Sequence, residues 1–591
     1  MRSRKAFFFG LTLSLITVLT PNIAQAVDLA NLIPQPTGSK RIIFSDTNYW
    51  SQDVSYVKGV IGEHPNTQVV SCSGIRDGAC AKASSLMLNF IVPPCSDFSK
   101  ETDVCIKDLS YLNSAGKLEK AKLLYEIDTQ KFASDSIAKT PVGGAMSLWQ
   151  GSAENNSAGA NTYGIRIGIR YNIDYNPKTY NPGIAYVFGF DAEIIPISFK
   201  LGAQYTAVNP VEHGSDTECV WTEVGKCAVR QDFGKANPMS ITVQMDNRIT
   251  GWLSGRMAGT SVDFKKLTST TNLLTVTGSP IDVPMGYADV SASEIATDPD
   301  ASKAFTLMGD RIFRPQGDRL NWQWGPFFSE RFKVYSAMSP AEARAAAGDK
   351  NSPVVAGANT PLEAWINFEK KYKNMGYAKI FQKYLKSYPL RNSQWKLLGL
   401  DRSGFREGNW PSCITDTSKF SGIVTTNAML NDVSPARFED DSLVYDVAGA
   451  HEGYDGKEFK GSYDLVMSSE VARCLYNFSS APLKATISVT SSTGEVQNIA
   501  TEVVNEKNGW LTLSAKNFTF SSPTIRIKLS QDALISTPST STAGKFPAPS
   551  PSTAGKFPAP SVQVTITCTK GKLVKKVIGT NPKCPSGYRS K

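Results

Sequence analysis

Tyr163-Gly-Ile-Arg-Ile-Gly-Ile-Arg-Tyr-Asn-Ile-Asp-Tyr175 is the stretch on which the fold turns. Tyr163, Ile165, Ile167, Ile169, Tyr171, Ile173 and Tyr175 recur at every second position. Gly164, Arg166, Gly168, Arg170, Asn172 and Asp174 stand between them. Side chains alternate across a strand, so a period of two predicts a half-buried strand with one face in a core and one face wet.

The same pattern continues downstream in residues 185–190, 194–199, 241–245, 251–253, 261–264 and 273–277, punctuated by Asn-Pro, Gly-Ser and Ser-Pro. Upstream, 41–44 and 86–92 also read as strands, whereas 117–125 fits either a helical turn or a polar edge. Strands in series without intervening helices predict an antiparallel sheet, folded as a sandwich or a partly closed barrel. Ser339-Pro340-Ala341-Glu342 and Thr360-Pro361-Leu362-Glu363 are helix starts with a capping hydroxyl, a first-turn proline and a reciprocal glutamate. Leu362, Trp365, Ile366, Glu369 and Tyr372 follow at helical spacing, and 378–385 reads as a second short helix. Strand patterns return at 442–447, 462–467, 485–490, 509–514 and 524–529, separated by turns such as Asn508-Gly509. That series suits an immunoglobulin-like sandwich.

The expected class is therefore mainly β: antiparallel β-sandwich domains, a small helical insert, a disordered Pro/Ser/Thr linker and a C-terminal disulfide-stapled β-hairpin. The expected divisions are a signal peptide at 1–26, a β-rich region at 27–337 (one domain or two), the helical insert at 338–400, the immunoglobulin-like sandwich at 401–535, the repeat linker at 536–561 and a basic hairpin tail at 562–591.

The ends of the chain carry its address. Arg2, Arg4 and Lys5 precede an apolar run over 7–19, and Ala24-Gln25-Ala26 offers small residues to a signal peptidase. The run is shorter than the roughly 20 residues of a membrane span, so the expectation is an exported chain with no transmembrane anchor after cleavage. Ten cysteines agree with an oxidising compartment. They lie as near neighbours, Cys72 with Cys80, Cys95 with Cys105, Cys219 with Cys227 and Cys568 with Cys584, leaving Cys413 with Cys474. Sequential pairing is the expectation, with Cys413–Cys474 tying the sandwich entrance to one of its strands; spacing alone does not fix connectivity. Metal binding would require Cys-x-x-Cys spacing or clustered histidines, and His64, His213 and His451 are far apart, so no metal or cofactor is expected.

The formal net charge of +10 is concentrated at the ends. Lys570, Lys572, Lys575, Lys576, Lys583, Arg589 and Lys591 fall in 562–591 with no acidic residue among them. The body between signal and linker is close to neutral, which argues against a nucleic-acid groove. The linker repeats Ser-Thr-Ala-Gly-Lys-Phe-Pro-Ala-Pro-Ser-Pro almost twice from Ser541. It is too poor in core-forming residues to offset its ordering entropy, and its prolines favour an extended tether.

Cys568-Thr-Lys-Gly-Lys-x-x-Lys-Lys-Val577 followed by Asn581-Pro-Lys-Cys-Pro-x-Gly-Tyr588 resembles a basic tail at the ends of uncharacterised exported surface proteins of actinobacteria. Gly422-Ile-Val-Thr-Thr-Asn427, Val471-Ala-Arg-Cys474 and Asn508-Gly-Trp510 are similar to a module that precedes such tails. The resemblance implies an exported, envelope-associated protein and carries over no functional residue.

Three functions compete. The first is a secreted, cell-surface binding or structural protein, held to an anionic envelope polymer through Lys570, Lys572, Lys575, Lys576, Lys583 and Arg589, with a glycan or protein as ligand. The second is a polysaccharide hydrolase, which needs paired carboxylates. Asp191 with Glu193, the run Glu439-Asp440-Asp441, and Glu452 with Asp455 are the candidates, and Asp191 and Glu193 would face water together. The third is carbohydrate binding by stacking, for which Trp322 and Trp324 on one side of a strand are the best pair. Trp252, Trp365, Trp395, Trp410 and Trp510 are further aromatic faces. The acidic loop from His451 to Glu458 fits no standard calcium spacing and reads as a polar hairpin.

Overall fold

The computed structural model describes residues 39–45, 54–62, 68–97, 100–176, 181–206, 209–210, 219–249, 251–302, 319–323, 380–399, 411–416, 419–431, 436–479, 483–490, 496–497, 500–520, 524–531, 564–570, 573–579, 584 and 588–590, with residues 33, 34 and 36. The expected signal peptide, the linker and most of the helical insert, including both proposed helix starts, lie outside them. The chain divides into two compact units, Met1–Ala533 and Leu534–Lys591.

The quoted stretch is the middle of strand Thr162–Asn176, which pairs antiparallel with Tyr186–Leu201 from Thr162↔Ile197 to Asn172↔Tyr186. On its other edge lie Ser85–Ile91 and, end to end with it, Ser147–Gln150. From this hairpin the sheet grows both ways. Ser85–Ile91 leads to Tyr56–Ile61 and then Gln68–Cys72. Tyr186–Leu201 leads to Lys396–Gly399, Trp252–Arg256, Gly422–Thr426, Lys460–Ser468, Trp510–Thr519 and Ala500–Lys507. Every one of these pairings is antiparallel except Trp252–Arg256 with Gly422–Thr426. The sheet thus runs straight across the expected division at 400/401. The described part of the expected insert, 380–399, contributes strands Leu385–Ser387 and Lys396–Gly399, with one short helical turn at Gln382–Tyr384 where 378–385 read as a helix.

Two further sheets cover this one. Near the N-terminal end the cover is formed by Ala258–Lys266, Thr271–Ser279, Met239–Asp246, Cys105–Leu112 and Leu118–Lys120, in that order. Ile165, Ile167, Ile169 and Tyr171 pack there with Leu86, Leu88, Ile106, Leu109, Ile241 and Val243. At the C-terminal end Leu430–Asn431, Ser442–Ala448, Thr524–Gln531, Leu483–Thr490 and Val496–Gln497 form the facing sheet. Val424, Leu465, Leu513, Tyr445, Val447 and Ile527 fill that core, so a two-sheet sandwich is present as expected.

The central strand departs from its expectation. Residues 163–169 are buried on both faces, not one. The second face begins at Gly164, where a Cβ would lie 2.9 Å from both Ile197 Cδ1 and Met146 Sδ. Only glycine lets Ile195, Ile197, Met146 and Trp221 close over the strand there.

Four disulfides join the sequential pairs Cys72–Cys80, Cys95–Cys105, Cys219–Cys227 and Cys413–Cys474. Cys584 is disulfide-bonded as well, while the side chain of Cys568 lies outside the described residues. The long bridge joins helix Ser412–Thr415 to helix Ser469–Tyr476, so its second anchor is a helix and not the expected strand. That helix ends at Asn477 in the left-handed conformation, a common helix stop. Residues 117–125 resolve into strands Leu118–Lys120 and Lys122–Glu126, the polar-edge alternative.

The second unit holds strands Val564–Lys570 and Leu573–Gly579, paired from Lys570↔Leu573 to Val564↔Gly579 around Gly571-Lys572. Arg589–Ser590 adds to the free edge of the first, making three strands where a hairpin was expected. In register, Lys570 pairs with Leu573, Lys575 with Cys568, Lys576 with Thr567 and Arg589 with Thr569.

Replacing Cys413 and Cys474 by Ala should lower stability by about 4 kcal/mol in the loop-entropy model for the 61-residue separation, read from denaturant midpoints. Asp440 and Asp441, at φ 50° and 57°, form the two-residue turn between Glu439 and Ser442. Asp441→Gly should raise stability by roughly 0.5 kcal/mol in the same measurement, because glycine carries no Cβ penalty at positive φ.

Candidate functional site: a buried seam of charge

Below Gly164, the second face of the central hairpin turns from apolar to ionic. Glu193 lies opposite Arg166, Asp191 opposite Gly168, and Gly189 opposite Arg170. Opposite charges meet across the pair, and each glycine leaves room for the long side chain beside it. A Cβ at Gly168 would sit 3.1 Å from Asp191 Oδ1, and one at Gly189 would overlap the Arg170 guanidinium.

Arg166 is fully buried and donates from Nη2 to Glu193 Oε2 at 2.9 Å, with Asp191 Oδ2 at 3.3 Å. Arg230 Nη1 donates to Glu193 Oε1 at 2.5 Å, and Arg170 Nη2 is 3.8 Å from Asp191 Oδ1. Lys396, buried on the neighbouring strand, pairs in register with Glu193. Burial by itself would raise the Glu193 pKa. The Arg230 and Arg166 charges outweigh it, with Lys396 adding, and hold the carboxyl well below the ordinary glutamate range.

The seam continues outward. Ser393 donates from N and Oγ to Asp232 Oδ1 at 2.9 and 3.1 Å, and its Oγ accepts from Phe233 N at 2.6 Å. Arg391 donates from Nε to Asp282 Oδ1 at 3.0 Å and from Nη1 to Phe233 O at 2.8 Å. Burial raises the pKa of both Asp232 and Asp282 against the pull of Arg391, and the Asp232 charge raises Asp282 further. Asp232, Asp282, Arg391 and Ser393 come from segments far apart in sequence and carry no local motif. The opposed Arg166-Gly168-Arg170 and Gly189-Asp191-Glu193 patterns, by contrast, are a readable signal of a buried ionic ladder.

The arrangement does not suit hydrolysis by the first candidate pair. Asp191 and Glu193 share a face, as expected, but that face is buried, and both carboxylates are held by guanidinium groups. Glu439 pairs with Arg437, next to the Asp440-Asp441 turn. Glu452 faces Glu458 in a one-bridge hairpin, and Asp455 accepts from Lys457 N and pairs with its ammonium at 3.0 Å. The loop is thus the expected polar hairpin, with His451 exposed at its start. Among the described residues, no cluster of His, Cys, Asp and Glu could hold a metal ion, and no helix is long and apolar enough to cross a membrane.

Trp322 lies on strand Arg319–Gln323, opposite Phe44 of the parallel strand Ser39–Ser45; Trp324, Trp365, Trp410, His64 and His213 lie outside the described residues. Trp252 and Trp395 are core residues, and Trp395 Nε1 donates to Gly278 O. Trp510 is half-buried, edge-on to Phe420. Of the tail cations, Lys570, Lys575, Lys576 and Arg589 fall on strands of the second unit, while Lys572 and Lys583 lie outside the described residues. The seam belongs to the first unit and the tail cations on described strands to the second.

No protein-family model matches the chain, and neither curated proteins nor solved structures match it.

Glu193→Gln leaves the Arg166 guanidinium buried beside one remaining carboxylate and should cost about 3–5 kcal/mol. The folded pKa of Glu193 is below its unfolded value. Its contribution is therefore complete above the ordinary glutamate range and declines as pH falls towards the depressed folded value. Urea unfolding of both proteins should show their stability difference narrowing from about pH 6 to about pH 3.

Proposed function

We propose that this is an exported cell-surface binding or structural protein, held to an anionic envelope polymer by its basic C-terminal unit. One observation carries the reading. The cations of 562–591 have no acidic neighbour in that segment, and Lys570, Lys575, Lys576 and Arg589 among them fall on strands of a small sheet in the second unit, after a Pro/Ser/Thr linker in the sequence. Thirty residues are too few for a self-sufficient core, so a bridge through Cys584 is what physics requires to present those charges on a fixed frame. With cations on all three of its strands, the sheet suits a flexible polyanion. Several weak contacts on one polymer add together and are screened by salt.

Disulfides throughout the body support an oxidising destination, and the resemblance of the tail to those of exported actinobacterial surface proteins supports the envelope. In the body, Asp191 and Glu193 are buried and paired with guanidinium groups. This favours a load-bearing or ligand-presenting scaffold over catalysis at Asp191 and Glu193.

The test compares the full chain with its Lys570→Glu/Lys575→Glu/Lys576→Glu/Arg589→Glu variant for retention on isolated cell envelopes. The unmodified protein should bind in low salt and elute as ionic strength rises towards about 0.5 M. The variant should elute at the lowest salt. Equal retention of both proteins, or retention indifferent to salt, would sink the reading.

A further inference from the structure

The two most exposed large apolar side chains among the described residues are neighbours. Leu201 is 76% exposed at the end of strand Tyr186–Leu201, and Val224 is 72% exposed in the turn between strands Cys219–Glu223 and Lys226–Arg230. Leu201 pairs in register with Lys226, and Gly202 N donates to Gly225 O at 3.1 Å, which sets the two residues side by side. Turn tips are ordinarily Gly, Asn, Asp or Ser, so valine there asks for a reason. This tip is also stiff, because Cys219–Cys227 staples the two strands that carry it.

The patch extends to a second element. Tyr125 donates from its hydroxyl to Glu223 Oε1 at 2.7 Å, bringing in strand Lys122–Glu126, where Leu124 and Tyr125 are exposed. Among the described residues that strand pairs only with Ser147–Gln150. Its register shifts between Leu123 and Tyr125, and an edge broken by a bulge is a poor template for another strand, whether of a peptide or of a second copy. Three lysines belong to the same strands: Lys226 stands opposite Leu201, Lys200 precedes Leu201, and Lys122 opens the strand that carries Leu124 and Tyr125. The nearby carboxylate, Glu223, is bound to Tyr125 and lies 3.9 Å from Lys226.

We propose that this stapled tip is a peripheral docking surface for an anionic lipid bilayer. Val224, Leu201 and Leu124 enter the acyl boundary, Tyr125 sits at headgroup level, and the lysines meet the phosphates. Apolar tips on a rigid frame lose little entropy on insertion, and the lysines of these strands complement a negative headgroup layer. The site is on the body of the protein and independent of the basic tail.

The full chain is tested by co-sedimentation with vesicles of phosphatidylcholine alone and of phosphatidylcholine with about 30% phosphatidylglycerol. Val224→Asp/Leu201→Asp and Lys200→Glu/Lys226→Glu are compared with the tail variant of the preceding section. All four body positions are half-buried or exposed, and circular dichroism checks that the variants fold. Combined with the tail substitutions, so that the basic unit does not itself hold the vesicles, each body variant should cut binding to the anionic vesicles at least tenfold relative to the tail variant. In 0.5 M salt, roughly three times physiological ionic strength, the tail variant and the unmodified chain should keep the same residual apolar binding. Binding unchanged by the Val224/Leu201 pair, or equal on neutral vesicles, would overturn the proposal. So would a concentration-dependent dimer in light scattering that the Val224/Leu201 pair abolishes, since a second copy would then be the occupant. Loss of envelope retention in the tail variant alone bears on the tether and leaves this surface intact.

Discussion

The hairpin 162–201 must satisfy Arg166, Asp191 and Glu193 in a place water does not reach. Glu193 stands across from Arg166, Asp191 stands one same-face position further along, and Arg230 and Lys396 bring further positive charge to Glu193. This demand fixes register. A slip of one residue between the two strands would turn the isoleucines onto the ionic face and bury guanidinium groups against Leu86 and Ile106. It also recruits distant chain. Lys396 and Arg230 arrive on separate strands that flank Tyr186–Leu201 on the same edge. A buried ionic cluster is poor evidence for extra stability, yet it is effective at excluding misaligned alternatives.

Strand content was legible because its signal is local. The alternation from Tyr163 to Tyr175, the apolar run 86–92 and the Asn508-Gly509 turn, at φ 53° and 80°, each needs only near neighbours to be interpreted. Burial of the second face was not legible from alternation alone. Arg166 looks solvent-facing until Glu193, 27 positions away, is set opposite it. The complementary ladder was nonetheless present in the paired patterns of arginine, glycine and carboxylate. The expected division near residue 400 follows the change from helical to strand periodicity. Periodicity carries no trace of the parallel pairing of Trp252–Arg256 with Gly422–Thr426, which makes one sheet of both regions. Helix Ser469–Tyr476 escaped because eight residues between strands, begun by two serines, give too short a periodicity to stand out.

The disulfides divide by what they constrain. Cys72–Cys80, Cys95–Cys105 and Cys219–Cys227 close short loops on strand ends, where they remove little unfolded-state entropy but hold local geometry. Cys413–Cys474 closes the long loop and fixes the entrance of the second sandwich to its helix. The seam formed by Asp232, Asp282, Arg391 and Ser393 sits between these frames and binds segments that no disulfide joins.

Strand Thr524–Gln531, the last of the body, is not at an edge: Ser442–Ala448 pairs with one side and Leu483–Thr490 with the other. Force applied along that strand would load hydrogen bonds on both flanks. Those bonds run across the strand, so they would yield together in shear instead of opening one at a time like a zip.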